Sequence, residues 1–166
     1  MTTIVVTPTM MVADTMVSFE ERGIFYPTQK IFRINGELVG ARGHSGNCLR
    51  MLEWAKSGWT MSSRPKFEKV EEDDNDSEGL YDTDVLIVNK QGIFYFCPEY
   101  PQPEEILFPF FAVGSGGKCA MGAMKAGADP IKAVQIATEV DLWTGPPIHI
   151  LYLAGGDLDV RDVRNV

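Results

Sequence analysis

The sequence predicts a layered α+β domain, in which antiparallel strand pairs alternate with segregated helices. Two observations lead there. Short apolar runs joined by turn residues fill the first forty residues and recur around 84–96. The apolar period turns helical at 45–57 and again at 117–145. A chain of 166 residues, 45% hydrophobic and 23% charged, is long enough to bury one core, so 1–166 is taken as one domain.

The first strands are Thr3-Ile4-Val5-Val6 and Met10-Met11-Val12-Ala13, joined through Thr7-Pro8-Thr9, where proline suits a turn. Lys30–Ile34 and Glu37–Ala41 flank Asn35-Gly36, a pair that tolerates positive φ and so marks a tight hairpin. Cys48, Leu49, Leu52 and Ala55 then fall at helical spacing, with Ser45 as cap and Gly58 as stop. The run Glu71-Glu72-Asp73-Asp74-Asn75-Asp76-Ser77-Glu78 marks an acidic loop over 69–83. It reads as a solvated loop, and recruitment of a basic partner is the other role open to it. A third hairpin pairs Asp84–Val88 with Ile93–Phe96. One helix runs from about Gly117 to Ala126. The next starts at Asp129-Pro130 and is expected to end just before Gly145. Ile148–Leu153 is a last strand, followed by a polar tail over 157–166 with no assigned state.

Charge and cysteine usage narrow the functional classes. A net charge of −8 disfavours nucleic acid and anionic membrane surfaces as partners. Cys48, Cys97 and Cys119 stand far apart with only two histidines, which favours neither a metal site nor a disulfide framework. No cofactor is expected. With no signal peptide and no stretch of membrane-spanning length, the expected location is the cytoplasm, or a host's cytoplasm for a viral source.

Read alone, the chemistry-bearing residues are unremarkable. Lys30 at a strand start reads as a solvated edge charge, and Asp14 after an apolar run as a turn residue. Their order along the chain is more specific. Thr2-Thr3-Ile4-Val5, Val12-Ala13-Asp14, Lys30-Ile31, Gly40-Ala41-Arg42-Gly43, Val113-Gly114-Ser115-Gly116-Gly117 and Asp141-Leu142-Trp143-Thr144-Gly145 follow one another as in a known family. The chain resembles the proteasome β-type, N-terminal-nucleophile hydrolases, most closely the HslV-type peptidase subunits.

The resemblance implies a four-layer αββα sandwich of two antiparallel sheets, with a reduced first helical layer. It implies a threonine endopeptidase whose Thr2, exposed by removal of Met1, supplies both the hydroxyl nucleophile and an α-amine of pKa ~7.7–8.0 as base. Lys30 would stabilise the developing alkoxide and Asp14 would fix the lysine. Gly43 would offer a backbone N–H to the oxyanion. Ser115, Asp141 and Thr144 would complete the network around the amine. Ser18, Thr28, Phe32, Ala41 and Ser45 would contact substrate, with Phe32 making the pocket apolar and Arg42 and His44 adding positive charge at its mouth. The resemblance further implies a homo-oligomeric ring, single or stacked, that degrades unfolded polypeptides. An AAA+ unfoldase would be the partner, since this chain has no phosphate loop of its own. The alternative is a non-proteolytic, proteasome-like assembly protein whose site is blocked by retained Met1.

Overall fold

The computed structural model describes residues 2–19, 24–69, 81–155 and 158–161, and no side chains at 18–19, 24–26 or 158–161. Its strands are β1 (Thr3–Thr7), β2 (Met10–Asp14), β3 (Met16–Phe19), β4 (Ile24–Pro27), β5 (Ile31–Ile34) and β6 (Glu37–Gly43). After helix α1 (Ser45–Lys56) come β7 (Thr83–Asn89), β8 (Gly92–Phe96), β9 (Glu104–Ile106) and β10 (Phe111–Gly114). Helices α2 (Gly117–Lys125) and α3 (Pro130–Val140) precede β11 (Ile148–Tyr152) and β12 (Leu158–Arg161).

The described strands form two five-stranded antiparallel sheets, β10-β1-β2-β11-β12 and β5-β6-β7-β8-β9, with β3-β4 as a separate hairpin. Period-two alternation sorts their side chains between layers. Ile4, Val6 and Met11 of the first sheet meet Ile31, Leu38, Leu86 and Val88 of the second in the central core. Val5, Val12, Ile148 and Ile150 point the other way, onto Ala120, Ala133, Val134 and Ala137 of α2 and α3. Val39, Ala41, Val85, Ile87 and Phe96 pack outward on Met51, Trp54 and Ala55 of α1. The result is the αββα sandwich, with α1 as the one described α-helix on its face, followed there by the short 3-10 turn Met61–Ser63.

Several expected boundaries shift, each for a tertiary reason. Ser45 is the first residue of α1 and not its cap. His44 takes the cap position because its N–H is held by the Asp82 carbonyl at 2.7 Å. Helix α3 ends at Val140, well before Gly145, because Thr144 and Gly145 are drawn toward Thr3 and Asp14. The hairpin β3–β4 has no counterpart in the sequence reading. Leu158–Arg161, within the tail left unassigned, is an edge strand on β11. Thr83, placed in the acidic loop, already belongs to β7, and residues 70–80 of that loop lie outside the described residues, as does Met1. Trp54 and Met124 fill the chain's own core, whereas Leu49 stays exposed. No helix among the described residues is long and apolar enough to cross a membrane.

Candidate active site

Thr2 and Thr3 are adjacent in sequence, and the fold gives them different tasks. Thr3 pairs with Gly114 across β1 and β10, and its N–H donates to Asp14 Oδ1 at 2.7 Å. Its hydroxyl accepts the Gly116 N–H at 3.0 Å and lies 2.6 Å from the Thr144 hydroxyl. Because Thr144 donates its own proton to Asp141 Oδ2, Thr3 must be the donor in the Thr3–Thr144 bond. The Thr3 hydroxyl is therefore fully engaged and buried. Thr2 instead lines a cavity, its carbonyl held by the Ser115 N–H at 2.9 Å. Gly114 has φ +98°, and a Cβ there would stand 1.7 Å from the Thr2 carbonyl oxygen, so only glycine lets the two strands close here.

Below this segment, at the end of β2, lies the Asp14 carboxylate, fully buried and in a bidentate ion pair. Lys30 Nζ donates to Asp14 Oδ1 at 2.9 Å and Oδ2 at 3.0 Å, and to the Met16 carbonyl at 2.7 Å. Backbone N–H groups of Thr3, Met16 and Gly145 complete the carboxylate's surroundings. The readings of Lys30 as an edge charge and Asp14 as a turn residue fail, because the β3–β4 hairpin and the Thr144-Gly145 segment gather around the pair. Burial outweighs the pair's mutual attraction. It raises the Asp14 pKa and lowers that of Lys30, bringing the ammonium nearer to the range where it exchanges a proton.

Behind Ser115, Asp141 shows the opposite balance. Burial raises its pKa, but hydrogen bonds from Thr144, Ser115 and the Trp143 N–H outweigh it and hold the carboxyl below its ordinary range. Thr2, Asp14, Lys30, Ser115, Asp141 and Thr144 thus belong to one connected neighbourhood.

The cavity holds about 160 Å³ and is lined by Thr2, Arg42, Gly43, Asp82, Gly114 and Ser115. Gly43 has φ +109°, and a Cβ would meet the Asp82 carbonyl oxygen at 1.8 Å. Thr28, Phe32, Ala41 and Ser45 do not line this cavity. Phe32 and Ala41 belong to the layer facing α1, Ser45 is exposed at the start of α1, and the Ser18 side chain lies outside the described residues. The positive charge expected from Arg42 is offset, since Nη1 bonds Asp82 Oδ1 at 3.0 Å and Nε bonds Asp84 Oδ2 at 2.5 Å. Sequence reasoning missed Asp82, Asp84, and Tyr95, whose hydroxyl donates to Asp84 Oδ1. The usable signal was the β6–β7 register, which sets Arg42 directly opposite Asp84.

No protein-family model matches the chain, and no curated protein matches it in sequence. Solved structures do match in fold. The HslV of Trypanosoma brucei aligns with a TM-score of 0.63 at 18% identity, covering 90% of this chain and 98% of that one. Thiobacillus denitrificans BPH aligns at 0.57 and 23%, covering 94% and 99%. Its complex with epoxomicin aligns at 0.60 and 21%, covering 93% and 99%. The chain therefore shares the αββα sandwich fold of these HslV-like structures.

Proposed function

We propose that this chain is a threonine endopeptidase subunit of an HslV-like ring, with Thr2 as nucleophile once Met1 is removed. The observation that carries the reading is the buried Asp14–Lys30 pair, set beneath a β1 start that engages Thr3 and leaves Thr2 at a cavity. Burying two charges without a functional return is unfavourable compared with apolar packing, so such a pair below a hydroxyl points to chemistry.

In this reading the Thr2 hydroxyl attacks a substrate carbonyl and passes its proton to its own α-amine. The Lys30 charge lowers the cost of the developing alkoxide, and the Gly43 N–H takes the oxyanion. The amine then protonates the leaving amide nitrogen, giving an ester at Thr2 and a new peptide N-terminus. Water, activated by the same amine, hydrolyses the ester. Ser115 and Asp141 orient the amine. Assembly into a ring would keep folded proteins from the nucleophile, and an ATP-driven unfoldase would feed the chamber.

The epoxomicin complex of Thiobacillus BPH suggests the test. Intact mass first establishes whether Met1 is absent. Processed protein should then gain the mass of one peptide epoxyketone, and Thr2→Ala should gain none. Full peptidase activity in protein retaining Met1, where the Thr2 nitrogen is an amide, would overturn the reading, since loss of a general base typically costs ~10²–10⁴-fold.

A further inference from the structure

The cavity beside Thr2 has a charge balance that the catalytic groups do not require. Along β6, Ala41 faces the α1 layer, so Arg42 projects from the opposite face, where Asp84 is its direct partner on β7. The guanidinium is engaged on two edges, by Asp82 through Nη1 and by Asp84 through Nε and Nη2. Tyr95 holds the other oxygen of Asp84 at 2.5 Å. Arg42 therefore acts as a rigid spacer between two carboxylates and is not a free cation. Its single charge offsets only one of them.

The other lining residues, Gly43, Gly114 and Ser115, bring no formal charge, and the Thr2 amine, of ordinary pKa ~7.7–8.0, is neutral in the reacting state and above about pH 8. Behind Ser115 stands Asp141, held ionised by its donors. The Asp14–Lys30 pair cancels itself. Of the two carboxylates Asp82 is the more open to water, its side chain 43% exposed against 14% for Asp84, with Arg42 between them at 31%.

We infer that this acidic mouth, presented by Asp82 and braced by Arg42, Asp84 and Tyr95, selects polypeptide with a lysine or arginine at the position that crosses it beside the scissile bond. The inference deepens the peptidase reading and rests on it. One uncompensated carboxylate within a few ångströms of a bound cation, in a partly shielded cavity, corresponds to about a tenfold preference over a neutral side chain of equal length.

The test separates binding from turnover. Thr2→Ala protein, which cannot cleave, is titrated with labelled hexapeptides in which one lysine, norleucine or glutamate is walked through an alanine background. At about pH 9, where the α-amine is neutral and lysine still charged, and about 50 mM salt, one position should favour lysine over norleucine about tenfold and disfavour glutamate, and the preference should shrink to about threefold at about 0.5 M salt. Adding Asp82→Asn, which suits the φ of +33° at this residue, should reduce the ratio to about twofold, whereas Arg42→Gln should increase it. Equal binding of the three peptides at every position, a glutamate preference, or a lysine preference indifferent to both salt and Asp82→Asn would overturn the inference. Epoxyketone labelling and turnover of the processed wild type report separately on the peptidase reading. Cleavage without basic selectivity ends only the present inference, and lysine-selective binding without labelling or turnover ends only the catalytic one.

Discussion

Replacing Lys30 by methionine keeps most of the side-chain volume and removes the charge. Asp14, with no exposed surface, then loses its bidentate partner and keeps three backbone donors at 2.7, 3.2 and 3.3 Å. Removing one member of a buried ion pair typically costs about 3–5 kcal/mol. The carboxylate has an escape, which is to take up a proton. At pH 7, protonating a group with an unfolded pKa of about 3.9 costs about 4 kcal/mol, at about 1.36 kcal/mol per unit, and at pH 5 only about 1.5 kcal/mol. The charge-related loss in Lys30→Met is therefore bounded near 4 kcal/mol at pH 7 and shrinks on acidification. The direction follows from linkage. The folded variant holds a proton on Asp14 that the unfolded chain releases above about pH 3.9, so stability falls as pH rises from there to the raised folded pKa. Urea titrations followed by circular dichroism at pH 5, 6, 7 and 8, at fixed protein concentration, read this directly. Adding Asp14→Asn should remove the pH dependence. Turnover of Lys30→Met should fall at least about a hundredfold at every pH, so activity and stability part company near pH 5. A pH-independent loss below about 1 kcal/mol, or wild-type turnover, would refute the assignment of a buried functional pair.

Gly114→Ala forces a Cβ to within 1.7 Å of the Thr2 carbonyl at φ +98°, so it should destabilise the protein by several kcal/mol and slow epoxyketone labelling of Thr2. A thermal melt and a labelling rate close to wild type would contradict that packing. Asp141→Asn should bring the stability profile closer to wild type at acid pH than at neutral pH. A depressed carboxylate stabilises the fold above its unfolded pKa, and that gain is lost as pH falls through the folded value. Asn47 is buried, donates to the Glu68 and Tyr81 carbonyls and accepts the Glu68 N–H, so Asn47→Ala should cost about 1–3 kcal/mol in chemical denaturation. Cys48 and Cys97, both pushed up to about 11 chiefly by burial, should alkylate at pH 8 about a hundredfold more slowly than a thiol of pKa ~8.5, as followed by mass spectrometry.

Local chemistry determined much of this protein. Asn35-Gly36 takes φ values of +51° and +83°, the hairpin that its residue types demand. Asp129 caps α3 through the Lys132 N–H, with Pro130 at the first helical position. Apolar alternation in β1 distributes Ile4 and Val6 to one core and Val5 to another. The order of the short motifs anticipated the sandwich, within which hydrogen bonds link the segments that carry Thr2, Asp14, Lys30, Ser115, Asp141 and Thr144. The engagement of the Thr3 hydroxyl was beyond the sequence. Thr2 is marked out by its place after Met1, but only closure of β10 and the α3–β11 loop on β1 engages the hydroxyl of Thr3. The charge of the site mouth was equally non-local. Arg42 reads as a cation until the β6–β7 register sets it opposite Asp84 and Asp82, just before β7, adds a second carboxylate. Turns, caps and periodicity arise among residues a few positions apart, so sequence determines them. The sign of a cavity and the engagement of a hydroxyl depend on groups 40 to 141 positions apart, which only the folded chain brings together.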